Sequence, residues 1–162
     1  MPEPALDRLD LALLRLVQRD NQLPARMLAE KAGLSESAAL RRLRRLRREG
    51  VIAADVSVVR PAAVGLPLTV VALVSLEREG AAELDAFARR VRACPQVRHC
   101  WYVTGEADWV LVLRLASMEA YEALTRALFL ADSNVRGFRT LVAMREVVGE
   151  ADARPLETQE GA

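Results

Sequence analysis

A short stretch near the N-terminus carries the densest positive charge of the chain. Its six arginines are Arg41, Arg42, Arg44, Arg45, Arg47 and Arg48. A guanidinium group donates paired hydrogen bonds that match the O6 and N7 acceptors of guanine and the oxygens of a phosphate. Leucines fall between the arginines at helical spacing. Taken alone, the arginines fit two structures: a helix that binds DNA, or a solvated surface helix without a ligand.

The residues before this stretch favour the DNA-binding interpretation. Helical periodicity predicts a first helix over Leu6–Arg19 and a second over Ala25–Ala32. Gly33 ends the second helix, and Ser35 is a good N-cap for a third helix that runs to Glu49. Two helices joined by a short glycine-containing turn form a helix-turn-helix, and the second of them enters the major groove of DNA.

This placement predicts which side chains meet DNA. The N-terminal residues of such a helix face base edges, and the other arginines grip phosphates. The predicted DNA-binding residues are Ser35, Ser37, Ala38, Arg41, Arg42, Arg44, Arg45 and Arg48. Each neutralised phosphate releases counterions, so we expect the affinity to fall steeply with salt.

The β-branched segment Val51–Val59 follows the third helix and is predicted to form a short hairpin. Two roles remain open for it. It could be a wing that touches phosphates beside the recognition helix, or a structural hairpin that only covers the three-helix core.

The rest of the chain has a different pattern. Two prolines and a glycine indicate a linker at residues 61–67. After it we predict four strands, at Leu68–Leu76, Val97–Thr104, Asp108–Ala116 and Val135–Val148, the first of them buried on both faces. Two helices are predicted between them, Glu83–Ala93 after the first strand and Met118–Ala131 after the third. This βαββαβ order is that of a ferredoxin-like sandwich.

These elements predict an α+β protein of two domains. A winged helix-turn-helix domain takes residues 1–60 and a ferredoxin-like α/β sandwich takes residues 68–149, with a flexible polar tail at residues 150–162. The charge divides in the same way: residues 1–60 hold 12 basic and 8 acidic side chains, and the remainder holds 11 and 14. A basic part joined to an acidic part indicates a nucleic-acid-binding domain beside a domain with another role.

Several classes of function find no support in the residues. No paired acid and base, nucleophile motif, phosphate loop or metal cluster is present, so we expect no enzyme, no catalytic residue, no metal and no cofactor. Cys94 and Cys100 fit neither a zinc spacing nor a disulfide framework and are predicted to be free thiols. No apolar run approaches the ~18 residues of a membrane span, and the first residues lack a signal-peptide layout. We expect a cytoplasmic protein without membrane contact.

A set of short motifs extends from about Leu6 to Val148. They are Leu6-Asp7-Arg8-Leu9-Asp10, Leu28-Ala29, Gly33-Leu34-Ser35, Arg42-Leu43-Arg44-Arg45-Leu46, Glu49-Gly50-Val51-Ile52, Gly65-Leu66, Thr104-Gly105-Glu106-Ala107-Asp108, Ala120-Tyr121-Glu122, Val135 and Thr140. In their order and spacing they resemble the Lrp/AsnC family, the leucine-responsive and feast/famine transcriptional regulators.

The resemblance implies a winged helix-turn-helix followed by a ferredoxin-like effector domain. It also implies homodimers formed by pairing the sheets, assembly of dimers into octamers, and an amino acid bound in the cleft between two effector domains. Carried onto this sequence, the effector-binding residues are Thr104, Gly105, Glu106, Ala107, Asp108, Val135 and Thr140. The loop departs from the family's frequent Gly-Asp-Tyr-Asp by lacking the aromatic, and Asn134 stands where the family often has glycine.

The residues themselves leave the effector loop open to two interpretations. Glu106 or Asp108 could accept hydrogen bonds from an ammonium group while backbone N–H groups near Gly105 hold a carboxylate. A plain hairpin turn, with Gly105 for the tight φ and Asp108 bonded to its own backbone, explains the same residues. Only the resemblance favours ligand binding. Trp101 and Trp109 likewise fit cross-strand packing better than a pocket.

The hypothesis that follows is a sequence-specific DNA-binding transcriptional regulator that responds to an amino acid. One alternative is an architectural DNA-binding oligomer without a small-molecule effector. Another is an enzyme of ferredoxin-like fold fused to a basic domain.

Overall fold

The structure, a computed structural model, describes residues 5–156. The chain forms two compact units. One contains the residues up to Val58 together with those from Val148 onward, and the other is Val59–Val147. No helix in the described part of the chain is both long enough and apolar enough to cross a membrane.

The N-terminal unit is built on three helices. They are α1 (Arg8–Arg19), α2 (Ala25–Ala32) and α3 (Glu36–Arg48). Their apolar faces meet in one core of buried side chains, Leu13, Leu14, Leu28, Ala29, Ala32, Ala39, Leu43 and Leu46. The helix spacing predicted from the sequence is confirmed, with ends that differ by at most two residues.

The turn between α2 and α3 has the predicted chemistry. Gly33 ends α2 with φ of 67°, a left-handed conformation that glycine adopts without steric cost. The Ser35 hydroxyl accepts a hydrogen bond from the Ala38 backbone N–H at 3.3 Å and so caps α3. These two caps fix the direction in which α3 leaves the turn.

A buried carboxylate joins α1 to α3. Asp10 is 1% exposed, and its two oxygens accept hydrogen bonds from the guanidinium groups of Arg42 (2.9 Å) and Arg45 (2.5 Å). Asp10 also closes a capping box with Asp7, which caps α1 and receives a second bond from Arg42 at 2.6 Å. The bond from the Asp10 N–H, followed by the Arg42 contact, lowers the pKa of Asp7.

The segment after α3 differs from the prediction, because Val51–Val59 form no hairpin. Val51 and Ile52 pack on the three-helix core, and the following residues are extended and exposed without strand pairing. An isolated two-stranded hairpin is marginally stable in water, and the described part of this unit offers no third strand. Asp55 instead pairs with Arg47 at 2.7 Å.

The second unit begins with a short 3-10 helix at Pro61–Val64 and continues as an antiparallel sheet covered by helices. Its elements are β1 (Leu68–Leu76), α4 (Ala81–Arg92), β2 (Val97–Tyr102), β3 (Trp109–Leu115), α5 (Met118–Thr125) and β4 (Val135–Val142). The strands lie in the order β2-β3-β1-β4. This confirms the ferredoxin-like sandwich.

The two faces of the sheet differ in burial. Side chains on one face, among them Val70, Ala72 and Val74, are buried against α4 and α5 together with Phe87 and Phe129. The alternate residues of β1, such as Val71 and Leu73, are only half-buried. The prediction that this strand is buried on both faces is therefore wrong for the isolated chain, because helices cover a single face.

Two further elements end differently from their predictions. The helix predicted over Met118–Ala131 is α-helical to Thr125 and continues as a π-helical turn, Arg126–Leu130. The last strand, predicted over Val135–Val148, ends at Val142, which pairs with Val70 of β1. One more backbone hydrogen bond follows it, from the Ala143 N–H to the Thr69 carbonyl at 3.0 Å.

The chain returns to the N-terminal unit after Val147. Glu150–Asp152 form a 3-10 helix, and the Leu156 N–H donates to Gln18 Oε1 of α1 at 2.6 Å. The tail predicted at residues 150–162 thus starts with a segment that contacts α1, and its remainder, residues 157–162, lies outside the described residues.

Removing the buried carboxylate should destabilise the N-terminal unit. We expect Asp10→Ala to lower the free energy of unfolding by about 3 kcal/mol, because it strips two arginines of their shared partner. The value stays near the low end of the usual range since Arg42 and Arg45 remain partly exposed to water. Urea denaturation measures the change. The control is Asp55→Ala, which breaks an exposed ion pair and should lower the free energy of unfolding by less than about 1 kcal/mol. Equal effects of the two variants would contradict the prediction.

Candidate DNA interface and effector site

The exposed face of α3 carries a basic stripe. Ser37, Arg41, Arg44 and Arg48 follow each other at helical spacing on the side opposite the buried Leu43. No side-chain hydrogen bond or ion pair joins the three arginines to any residue of the described chain. The stripe spans about 16 Å along the helix, a length suited to the major groove.

The other predicted DNA-binding residues lie elsewhere on α3. Ser35 is exposed, but its hydroxyl is occupied by the N-cap and a contact with the Ser37 hydroxyl, and Ala38 is half-buried. Arg42 and Arg45 turn toward α1 and hold Asp10. Three of the six arginines therefore face outward and two face inward, while the sixth, Arg47, pairs with Asp55, a division that the sequence spacing did not reveal.

The predicted effector loop connects β2 to β3. Gly105 has φ of 128°, a conformation that L side chains rarely adopt, and it makes the tight turn possible. The Asp108 carboxylate accepts a hydrogen bond from the Leu76 N–H at 2.6 Å, and the Asp108 carbonyl accepts one from the Val103 N–H. Asp108 thus fastens the loop to the end of β1, whereas the plain-turn interpretation expected its side chain to bond to its own backbone.

A cavity of about 250 Å³ opens beside this loop on the sheet face that the helices leave uncovered. Glu106 and Ala107 line it from the loop, and Arg136, Gly137 and Arg139 line it from β4. Glu106 pairs with Arg139 at 3.1 Å. Of the seven predicted effector residues, the structure brings only Glu106 and Ala107 to this cavity; Thr104 and Gly105 lie at the tip of the turn.

Val135 and Thr140 point away from the cavity. Val135 packs on the buried core, and the Thr140 hydroxyl shares a hydrogen bond with Tyr121 of α5 on the helix-covered face. Burial raises the pKa of Tyr121, and the contact with Thr140 opposes this shift. The residues that the sequence analysis missed, Arg136 and Arg139, belong to the same strand but carried no motif of their own.

Asn134 has a structural role that its sequence position did not predict. Its side chain is buried, and it both accepts from the Arg78 N–H at 3.0 Å and donates to the Arg78 carbonyl at 2.9 Å. Its backbone does not adopt a positive φ. At the position where the family often has glycine, the Asn134 side chain therefore holds the loop that follows β1.

The aromatic side chains of the sheet differ in their packing. Trp109 packs on Tyr102 of the neighbouring strand, with ring centroids 5.2 Å apart, and on Phe87 of α4 at 5.3 Å, which confirms cross-strand packing for Trp109. Trp101 does not follow the prediction: it stacks on His99 of its own strand at 5.5 Å and is half exposed. Cys94 and Cys100 are free, and burial raises the pKa of the Cys100 thiol. Within residues 5–156, no group of three or more His, Cys, Asp or Glu side chains is placed to hold a metal ion.

Comparison with known proteins agrees with both units. The Lrp/AsnC ligand binding domain model matches residues 69–152, and a winged helix-turn-helix DNA-binding model matches residues 6–53. The chain belongs to the Lrp/AsnC family. Its members are transcriptional regulators, so the protein is a helix-turn-helix transcriptional regulator with a ligand-binding domain.

Relatives in this family align over most of the chain. An HTH-type transcriptional regulator of Sinorhizobium fredii is 49% identical over 142 residues, covering 88% of this chain and 84% of that protein. The leucine-responsive regulatory protein of Rhizobium meliloti is 33% identical, covering 88% of this chain and 91% of its own length.

Solved structures share the architecture. An AsnC family transcriptional regulator from Agrobacterium tumefaciens has a TM-score of 0.84 at 28% identity, covering 89% of this chain and 94% of the other. The complex of a transcriptional regulator from Neisseria meningitidis with L-Met has the same score and identity, covering 90% and 94%.

The two acids of the loop should differ in their effect on stability. We expect Asp108→Ala to lower the free energy of unfolding by about 1.5–3 kcal/mol, because the Leu76 N–H loses a charged acceptor. Glu106→Ala removes only an exposed ion pair and should cost less than about 1 kcal/mol. Denaturant unfolding of both variants without ligand measures the difference, and equal losses would show that Asp108 does not fasten the loop.

Proposed function

We propose that α3 is the helix that reads operator DNA, with Arg41 near the bases and Arg44 and Arg48 on phosphates. The observation that carries this proposal is the exposed stripe of arginines that pair with no described residue and lie opposite the buried leucines. Unpaired guanidinium groups need no internal ion pair to be broken before they bind phosphate or guanine. Ser37 completes the stripe, while Ser35 and Ala38 lie at the same end of the helix.

Arg42 and Arg45 act on DNA binding indirectly in this proposal. Their guanidinium groups hold Asp10, so they set the angle at which α3 is presented instead of contacting DNA themselves. The DNA-binding domain is then the three-helix unit, and residues 61–67 connect it to the effector domain.

We further propose that the effector domain binds an amino acid beside the Glu106 loop, between two copies of the domain. The ligand-binding family model and the L-Met complex of a relative support an amino-acid effector. The uncovered sheet face supports pairing of two sheets, because Val71, Leu73, Val110 and Val112 form an apolar patch at its centre. Dimers of this kind would assemble further, to an octamer.

The protein on this proposal works by binding and not by catalysis, and it acts on double-stranded DNA in the cytoplasm. It takes no cofactor other than the amino-acid effector. The alternative, an architectural DNA-binding oligomer without an effector, draws support from the Asp108 carboxylate, which is engaged by the Leu76 N–H and not free for a ligand.

The outward arginines should control DNA affinity in two ways. We expect Arg41→Ala to weaken operator binding by about 5- to 150-fold and to relax sequence preference, since a base contact is lost. Arg48→Ala should weaken binding to all sequences and reduce the slope of log affinity against log salt by about 1 for each copy bound, since a phosphate contact is lost. Gel-shift titrations on the promoter region of its own gene, at several salt concentrations, measure both effects.

The control for these variants is Arg89→Ala, which removes an exposed arginine from α4 of the other unit. It should leave affinity and salt slope unchanged. If Arg41→Ala and Arg48→Ala behave like this control, α3 is not the recognition helix.

An amino-acid effector should stabilise the protein. A ligand present at about 100 times its dissociation constant adds about 2.7 kcal/mol to the native state, which raises the melting temperature by several degrees. A thermal-shift screen of the full chain against the 20 common amino acids measures this. A screen without any shift would favour the architectural alternative.

A further inference from the structure

We propose that the cavity beside Glu106 selects an amino acid with an anionic side chain, of the aspartate or glutamate class. This inference rests on the proposed amino-acid effector and specifies its chemistry. It follows from the charges that line the cavity and from a distortion in β4 that brings two of them together.

The distortion is a β-bulge. Ser75 pairs with Gly137, but Leu76 pairs with Val135, so Arg136 is an extra residue without a partner in β1. In a regular strand, residues three apart point to opposite faces, and Arg136 would point into the core while Arg139 points out. A bulge re-aims the side chain of the extra residue. As a result, both arginines line the same cavity.

The cavity therefore holds one carboxylate and two guanidinium groups. Glu106 and Arg139 pair at 3.1 Å, with side chains that are 86% and 65% exposed. Such an exposed pair contributes little to stability and opens readily for a ligand. Arg136 has no side-chain hydrogen bond or ion pair within the described residues.

These three charges match a ligand with two negative groups and one positive group. The ammonium of an amino acid would pair with Glu106, and its α-carboxylate with Arg139. Where the proposed second copy of the domain covers the cavity, a neutral amino acid would leave the second guanidinium unpaired, and an unpaired charge removed from water is costly. A side-chain carboxylate on the ligand would supply the missing partner for Arg136 through charge-assisted hydrogen bonds.

The size and walls of the cavity fit a small ligand of this kind. At about 250 Å³ it lies below the usual range for drug-sized ligands, which starts near ~300 Å³. Gly137 and Ala107 leave room between the charges, and a Cβ at Gly137 would meet nothing within 4 Å. The Ser75 hydroxyl donates to the Glu106 carbonyl at 3.3 Å and ties the loop to β1.

The test is a binding titration of the full chain with aspartate, glutamate, leucine, methionine and succinate, by calorimetry and thermal shift. We expect aspartate or glutamate to bind tightest. Arg136→Gln should weaken that binding by roughly 10- to 100-fold, as expected for a lost charge-assisted contact, and should reduce the preference over leucine and methionine. Its melting temperature without ligand should equal that of the parent chain, because Arg136 has no side-chain partner to lose among residues 5–156.

Arg145→Gln is the matched control. Arg145 is an exposed arginine that follows β4 and does not line the cavity, so this variant should bind as the parent does. Tighter binding of leucine or methionine than of aspartate and glutamate would overturn the anionic preference while leaving amino-acid sensing intact. Succinate binding as tightly as glutamate would overturn the pairing of an ammonium with Glu106. No binding by any amino acid would overturn the proposed sensing together with this inference.

Discussion

One buried carboxylate organises the DNA-binding unit. Asp10 lies almost wholly out of water between α1 and α3, and a charge in that position must be paired. Two guanidinium groups of α3 supply the pairing, and the backbone N–H of Asp7 supplies a further hydrogen bond. Because Arg42 and Arg45 are bound there, the rotation of α3 about its own axis is set. The arginines on its opposite side can then face only outward.

This arrangement separates charge that holds the fold from charge that is available to a partner. The net excess of basic groups in the N-terminal part counts the inward and the outward arginines together and cannot distinguish them. A change at an inward arginine acts through the stability and orientation of the helix. On the proposed assignment of α3, a change at an outward arginine acts on the DNA contact instead, and the two mechanisms leave different signatures in unfolding and in salt dependence.

In the effector unit the corresponding constraint is the unequal covering of the sheet. Helices bury one face, and the apolar centre of the other face stays half-exposed in the single chain. The bulge at Arg136 lies at the margin of that uncovered face, next to the loop that Asp108 fastens to β1. Contacts of the Asp108 and Ser75 side chains with backbone groups thus hold the loop beside a cavity whose charged side chains are exposed.

The sequence by itself determined the elements and their order. Helical leucine spacing, Gly33, Ser35 and the βαββαβ pattern are local signals, and local propensity and capping act over a few residues. The tertiary structure alone decided which arginines face outward, that Asp108 and Thr140 serve the fold, and that Arg136 joins Arg139. These outcomes depend on partners 19 to 35 residues away in the chain, or on a one-residue slip in strand pairing. The predicted hairpin at Val51–Val59 did not form, because an isolated two-stranded hairpin is marginally stable in water and the described part of this unit offers no third strand.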